Sequence, residues 1–456
     1  MPTAITSSEY EFQSLQTVAD DAGEVHALWM QPTGIYYTYW SDGQWLLPTA
    51  IIKSTFNDTD QFVATTDQAG LIYLVWTSNE TGEILFSWAN SSKATDAKEW
   101  ASPRVIPSPQ VGGQSPDLVV NASGSVFVIY SIPINEDRGV YLVSSADRGE
   151  TWSKPMPIFD AVSAGWEMVN QSRVSLVGED HLVATWADTS LNKGPIGLFF
   201  SGFSANTEKP EASIIVSKPV IWNDISGFGE NTIHRVWQEL DKDQPEIWHT
   251  YSNDQGQTWE QSVYISSIGE IPGPSDITLD RSGQLHLTYT YIRDEAYLGI
   301  KHWIWNGENW SSDQGIDLGE IEQRGIGAIA STISSNGEIF TVFSLSQEGA
   351  DYELMFTHRY LETPSEISGP GSGSQTNPEP SIIEENAGQK STPTVEATAE
   401  VEITPSATQN PEVAQPSNQP AQPTDSIMGL VLGIGLAFAL VAVAFIVRLL
   451  IASRKQ

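Results

Sequence analysis

One phrase of polar and apolar positions recurs along the first 360 residues. A turn ends in Gly or an acidic residue, an apolar strand follows, and an aromatic closes it. The copies begin at Gly23 (VHALW), Gly70 (LIYLVW), Gly124 (SVFVIY), Asp180 (HLVATW), Glu230 (NTIHRVW), Gly283 (QLHLTY) and Gly337 (EIFTVF). They stand roughly 50 residues apart. Period-2 runs bounded by Gly, Asn, Asp and Ser fill the spaces between them, and no long stripe of helical period appears. A four-stranded blade with its turns needs about 40–50 residues, so each copy predicts one blade of an all-β propeller. Seven copies favour seven blades; six is the alternative if one phrase belongs to a hairpin outside the ring. The third unit predicts the order within a blade: Leu118–Asn121, Val126–Ile132, Val140–Ser144, a turn, then Ser153–Ile158. The last unit offers three strands before Tyr360. Thr3–Ser8 could supply its fourth strand and close the ring without an exposed edge.

Two turns share one octapeptide. Ser145-Ala146-Asp147-Arg148-Gly149-Glu150-Thr151-Trp152 recurs as Ser252-Asn253-Asp254-Gln255-Gly256-Gln257-Thr258-Trp259. The Asp can bond the turn backbone, the Gly can take a positive φ, and the Trp can bury a large apolar face. The pattern S-x-D-x-G-x-T-W resembles the Asp-box (BNR repeat) of the sialidase superfamily of β-propellers. That resemblance implies equivalent outer hairpins for the two boxes, with Ser145, Asp147, Gly149, Thr151, Trp152 and Ser252, Asp254, Gly256, Thr258, Trp259 in structural roles. Activity in that family rests on other residues: an Arg triad gripping the substrate carboxylate, a Tyr–Glu nucleophile and an acid/base Asp. The family's R-I-P motif is absent; Arg104-Val105-Ile106-Pro107 is the nearest string. Arg173 and Arg324 stand just before predicted inner strands, with Glu167 and Glu322 near them, and these four are the catalytic candidates. The late inner strand Gly327–Ile333 holds no Tyr. The expectation is therefore a binding module for a glycan or surface protein, diverged from active sialidases. An exo-sialidase or other glycoside hydrolase with a diverged site is the alternative.

Composition sets further bounds. All 16 Trp fall within residues 1–360. From Pro364 to Asp425 there is no aromatic and one basic residue, Lys390, amid many Pro, Ser, Thr and Glu, so residues 361–425 are expected to be a disordered linker. Ile427–Val447 is an uncharged apolar run of 21 residues, long enough to span a bilayer as one transmembrane helix within 426–448. Arg454 and Lys455 in the tail 449–456 place that end in the cytoplasm and the propeller outside, on a bacterial cell surface. Met1–Ala4 shows no signal peptide. The charge asymmetry points to a start further upstream, the alternative being a tail-anchored cytosolic domain. The net charge of −35 argues against nucleic acid as a partner. No Cys, no phosphate-binding loop and no metal-ligand spacing appear, so no cofactor and no metal are expected. His26, His234 and His286 occupy one slot in three blades, which reads as a structural position. Trp166, Trp222 and Trp303 could stack on sugar rings, although blade packing is the plainer role.

Overall fold

A computed structural model describes residues 2–361, apart from short stretches at 58–59, 79, 189–196, 205–211, 217, 242–243, 266, 268, 294–296, 313–314, 321–323 and 348. The linker beyond residue 361, the apolar run Ile427–Val447 and the basic tail lie outside the described residues. Among the described residues no helix is long and apolar enough to cross a membrane.

Seven antiparallel sheets form, one per phrase, as the preferred count required. The inner strands are Ser14–Ala19, Phe62–Thr66, Gln114–Val120, Asn170–Val177, Val220–Phe228, Glu270–Leu279 and Arg324–Ile333. Each touches the inner strands of both neighbours, so the ring closes. In blade 3 the order continues through Val126–Ile132 and Gly139–Ser145 to Met156–Asp160, within a few residues of expectation. The closing aromatics of the seven phrases, Trp29, Trp76, Tyr130, Trp186, Trp237, Tyr289 and Phe343, are all buried. They belong to apolar clusters that fill every interface between adjacent blades. The repeat works because no blade can bury both faces alone.

Blade 7 takes its fourth strand from the N-terminus. Thr3–Ser8 pairs antiparallel with Tyr352–Tyr360, from Thr3 opposite Phe356 to Ser8 opposite Tyr352. The first and last segments of the propeller thus share one sheet.

The turn glycines have a specific task. In five blades the turn after the inner strand closes through a side chain four residues ahead of its donor. Asp20, Asp67, Asn121, Asp280 and Ser334 accept from the amides of Glu24, Leu71, Ser125, Gln284 and Glu338. Gly23, Gly70, Gly124, Gly283 and Gly337 each take φ between 74° and 90° to allow it.

Both octapeptides turn from the third strand to the outer strand, in blades 3 and 5, with the same bonds. Asp147 Oδ1 accepts from the Thr151 amide at 2.8 Å and Oδ2 from the Thr151 hydroxyl at 2.6 Å. Asp254 accepts from Thr258 at 2.8 and 2.6 Å. The Gly149 and Gly256 amides donate to Ser145 and Ser252. These bonds favour the carboxylate, so the Thr151 hydroxyl and amide, with Ser145, hold Asp147 down at about 2. Each box also locks onto the preceding blade. Trp152 meets Phe86 edge-on at 5.0 Å, and Trp259 meets Phe200 in the same way at 5.0 Å. A Cβ on Gly149 would lie 2.2 Å from the Phe86 ring at φ +83°, whereas Gly124 at φ +81° has nothing within 4 Å. Gly149→Ala should therefore cost about 3 kcal/mol by backbone strain plus overpacking, and Gly124→Ala about 1. Equal denaturation midpoints for the two variants would show that the box does not lock the blades.

Candidate functional site

Strand alternation divides the molecule into two faces. Turns from inner to second strand and from third to outer strand, including both boxes, share one face. The crossovers between blades lie on the other. A site built by the inner strands runs between these faces and is remote from the box tips.

Register places one residue of each inner strand opposite the residue that precedes the closing aromatic. Around the ring that slot holds Gln16, Val63, Asp117, Arg173, Asp224, Asp276 and Ala330. Four successive blades, 3 to 6, thus bring three carboxylates and one guanidinium to one level. In blades 3 to 7 the register slips just before this slot, between Gln114 and Asp117, Asn170 and Arg173, Val220 and Trp222, Pro272 and Ser275, and Ile326 and Ile329. A bulge adds a residue and re-aims the side chains that follow. Ser115 and Gln171, inside two of these slips, take φ of 48° and 55°, sparsely populated for residues with a Cβ. Inter-blade bonds hold them there. The Ser115 amide donates to Gln61 Oε1 at 2.8 Å, the Gln171 amide to Ser115 Oγ at 3.0 Å, and Asn223 Nδ2 to the Gln171 carbonyl at 3.1 Å.

The slot carboxylates are anchored to neighbouring backbone. Asp117 Oδ2 accepts from the Val174 amide at 2.8 Å, and Asp276 Oδ2 from the Ser331 amide at 2.6 Å. Desolvation raises all three acids. Asp117 goes to about 6, with Arg173 opposing the rise. Asp224 goes to about 7, burial being offset by Arg173 and reinforced by Asp117. Asp276 reaches about 8, through burial and the adjacent Asp224. Near neutral pH the group therefore mixes protonated and ionised carboxyls around one cation, which lets it both donate and accept hydrogen bonds.

Asp224 and Asp276 line a central cavity of about 310 Å³, near the lower end of the range for small-molecule sites. Two residues beyond the slot, Thr65, Ser175, Ser226, Thr278 and Thr332 occupy one further level, and Thr65, Thr278 and Thr332 line the same cavity.

Of the four catalytic candidates, the structure brings Arg173 into this group, where it also donates to the Ser172 carbonyl. Arg324 opens the inner strand of blade 7, but its side chain lies outside the described residues, as does Glu322. Glu167 is exposed in the crossover from blade 3 to blade 4. Arg104, from the string nearest R-I-P, binds the first box instead, through the Glu150 carbonyl at 3.0 Å and its carboxylate at 2.6 Å. Trp166 is buried between Phe159 and Phe199, and Trp222 and Trp303 pack between blades 5 and 6, so these rings serve packing. Asp117, Asp224 and Asp276 were missed by the sequence reading. Counting back from the turn would have found two of them: Gln16, Val63, Asp117, Asp276 and Ala330 each stand seven residues before the turn glycine, whereas Asp224 stands five before Gly229.

No protein-family model matches the chain, and no curated protein matches it. Solved structures do. An ulvan lyase of polysaccharide lyase family PL25, bound to -[GlcA(1-4)Rha3S]-, is 10% identical, covering 78% of this chain and 95% of its own, with a TM-score of 0.55. The NanB sialidase from streptococcus pneumoniae is 14% identical over 79% of this chain and 70% of its own, with a TM-score of 0.42. The SapL1 lectin, in complex with alpha methyl fucoside, is 14% identical over 68% of this chain and 97% of its own, with a TM-score of 0.45. At such identities the likeness is one of fold: the chain is an all-β, seven-bladed propeller similar in architecture to the ulvan lyase.

Proposed function

We propose that this chain is a cell-surface binding propeller whose central channel takes a neutral, hydroxyl-rich ligand, a glycan in the first instance. The observation that carries this reading is the shared slot: Asp117, Arg173, Asp224 and Asp276 reach one level from four successive blades. Carboxyls and hydroxyls in a cavity of about 310 Å³ suit the alternating donors and acceptors of a sugar. Three acids facing one Arg disfavour an anionic sugar, which would need a surplus of guanidinium. The span Ile427–Val447 anchors the chain, with residues 361–425 as its stalk. Protease added to intact cells expressing the full natural gene should then release the propeller.

A glycan array probed with the full chain, followed by calorimetry on the best ligand, tests this reading. Neutral oligosaccharides should bind, and Asp224→Asn should weaken binding tenfold or more. Binding restricted to sialylated glycans, or indifferent to Asp224→Asn, would refute it.

One observation favours a second reading, a glycoside hydrolase. Asp117 at about 6 and Asp276 at about 8 are split as a general base and a general acid need to be. Turnover of a neutral aryl glycoside that vanished in Asp276→Asn would promote this alternative. A fluorogenic sialoside should not be hydrolysed.

A further inference from the structure

Outside the channel, one hairpin gathers unlike ligand chemistry. Asp20, Glu24 and His26 follow one another through the turn of blade 1, and an oxygen or nitrogen from each lies within 4.8 Å of the others. Asp20 and His26 are buried, at 5% and 0% exposure, while Glu24 is half-buried and opens the group to one side. His26 Nδ1 is bonded to Tyr37 Oη at 2.8 Å. Its Nε2 is buried and makes no hydrogen bond. Asp20 Oδ2 lies 3.5 Å away and already accepts from the Ser91 hydroxyl of blade 2 at 2.9 Å.

Two sister hairpins show what is unusual here. In blade 2 the equivalents are Asp67, Leu71 and Tyr73, and the Tyr73 hydroxyl donates to Asp67 Oδ2 at 2.8 Å. That turn is satisfied by itself. In blade 6 they are Asp280, Gln284 and His286, with His286 Nε2 3.8 Å from Asp280 Oδ2. Only blade 1, among these three, adds a second carboxylate to an imidazole nitrogen left without a bond.

We propose that this hairpin is a Zn²⁺ site, with Asp20 and Glu24 supplying oxygens and His26 supplying Nε2. One imidazole and two carboxylates are a donor set that zinc accepts, with a fourth position left for water on the Glu24 side. Tyr37 takes the outer role, holding the proton on Nδ1 so that the Nε2 lone pair faces the ion. Through Ser91 the ion would tie blade 1 to blade 2 beside the closing seam.

The full chain, stripped with chelator and titrated with ZnCl₂ at pH 7, should bind one ion per chain and unfold at a higher temperature with zinc than without. Mg²⁺ at the same concentration should do neither. Glu24→Gln, which copies the blade 6 hairpin, should keep the metal-free unfolding temperature but lose zinc affinity tenfold or more. The absence of stoichiometric zinc, or zinc binding unchanged in Glu24→Gln, would overturn the assignment. Because neither readout involves a glycan, the result is independent of the channel's ligand.

Discussion

A chain lacking residues 1–9 should lose cooperative folding. Thr3–Ser8 supplies the outer strand of blade 7, and its pairing with Tyr352–Tyr360 ties the N-terminus to the last blade. Five paired positions join it to Tyr352–Tyr360. At about 1 kcal/mol for each net hydrogen bond, plus burial of Ile5 against blade 7, its removal costs about 5 kcal/mol. That approaches the whole stability of many domains. It also bares a strand edge on Tyr352–Tyr360, a template for pairing with other chains. Gel filtration and thermal denaturation of the truncated chain should show aggregates and a broad, early transition. A synthetic peptide of residues 1–10 should restore part of the loss. A truncated monomer that melts within about 3 °C of the intact chain would refute this account.

Stability should fall as pH rises from about 4 to about 8, and Asp276→Asn should remove part of that fall. Asp117, Asp224 and Asp276 have folded values near 6, 7 and 8 against an ordinary value of 3.8. Between the two values the folded chain holds protons that the unfolded chain has released, so the slope of unfolding free energy with pH is negative there. Asp20, Asp147 and Asp280, each lowered to about 2, act in the opposite sense, and their contribution is lost only as pH falls below about 4. The two windows are therefore separable. Asn at 276 keeps an acceptor for the Ser331 amide while removing the ionisable group. It should stabilise the protein at pH 8 by on the order of 2 kcal/mol and change little at pH 5. Urea midpoints at the two pH values decide the matter. A wild-type slope left intact in the variant would mean that Asp276 is not a source of it.

The repeat was legible because its cause is local. A turn glycine, an alternating strand and a closing aromatic recur in sequence, and the seven aromatics from Trp29 to Phe343 are buried as that pattern demands. The octapeptides were legible for the same reason, since each box bonds almost entirely within itself. Blade closure by Thr3–Ser8 followed from counting strands. The channel was not legible in this way. Arg173 stood out as a rare basic residue, but Asp117, Asp224 and Asp276 are three acids among 57 acidic residues, and only the ring makes them neighbours. The bulges that re-aim them depend on pairing with the second strand, which leaves no local mark in the chain. For Trp166, blade packing was the plainer expectation and sugar stacking the other, but the sequence could not say against what it packs. Its true partners, Phe159 and Phe199, lie on two different blades.

The closing seam also bears on how the molecule carries load. Tyr352–Tyr360 is bonded along one side to Glu338–Leu345 and along the other to Thr3–Ser8. The chain leaves the propeller from the end of this strand, where the Leu361 amide is held by the Gly337 carbonyl. A pull along the strand would be resisted in shear by two ladders over Glu353–Phe356 and by one over Thr357–Tyr360, whereas a pull across it would peel bonds one at a time. The residues nearest the exit, Thr357–Tyr360, pair on one side only, so a load arriving through the downstream chain would meet that single ladder first and the doubly clamped Glu353–Phe356 only after it.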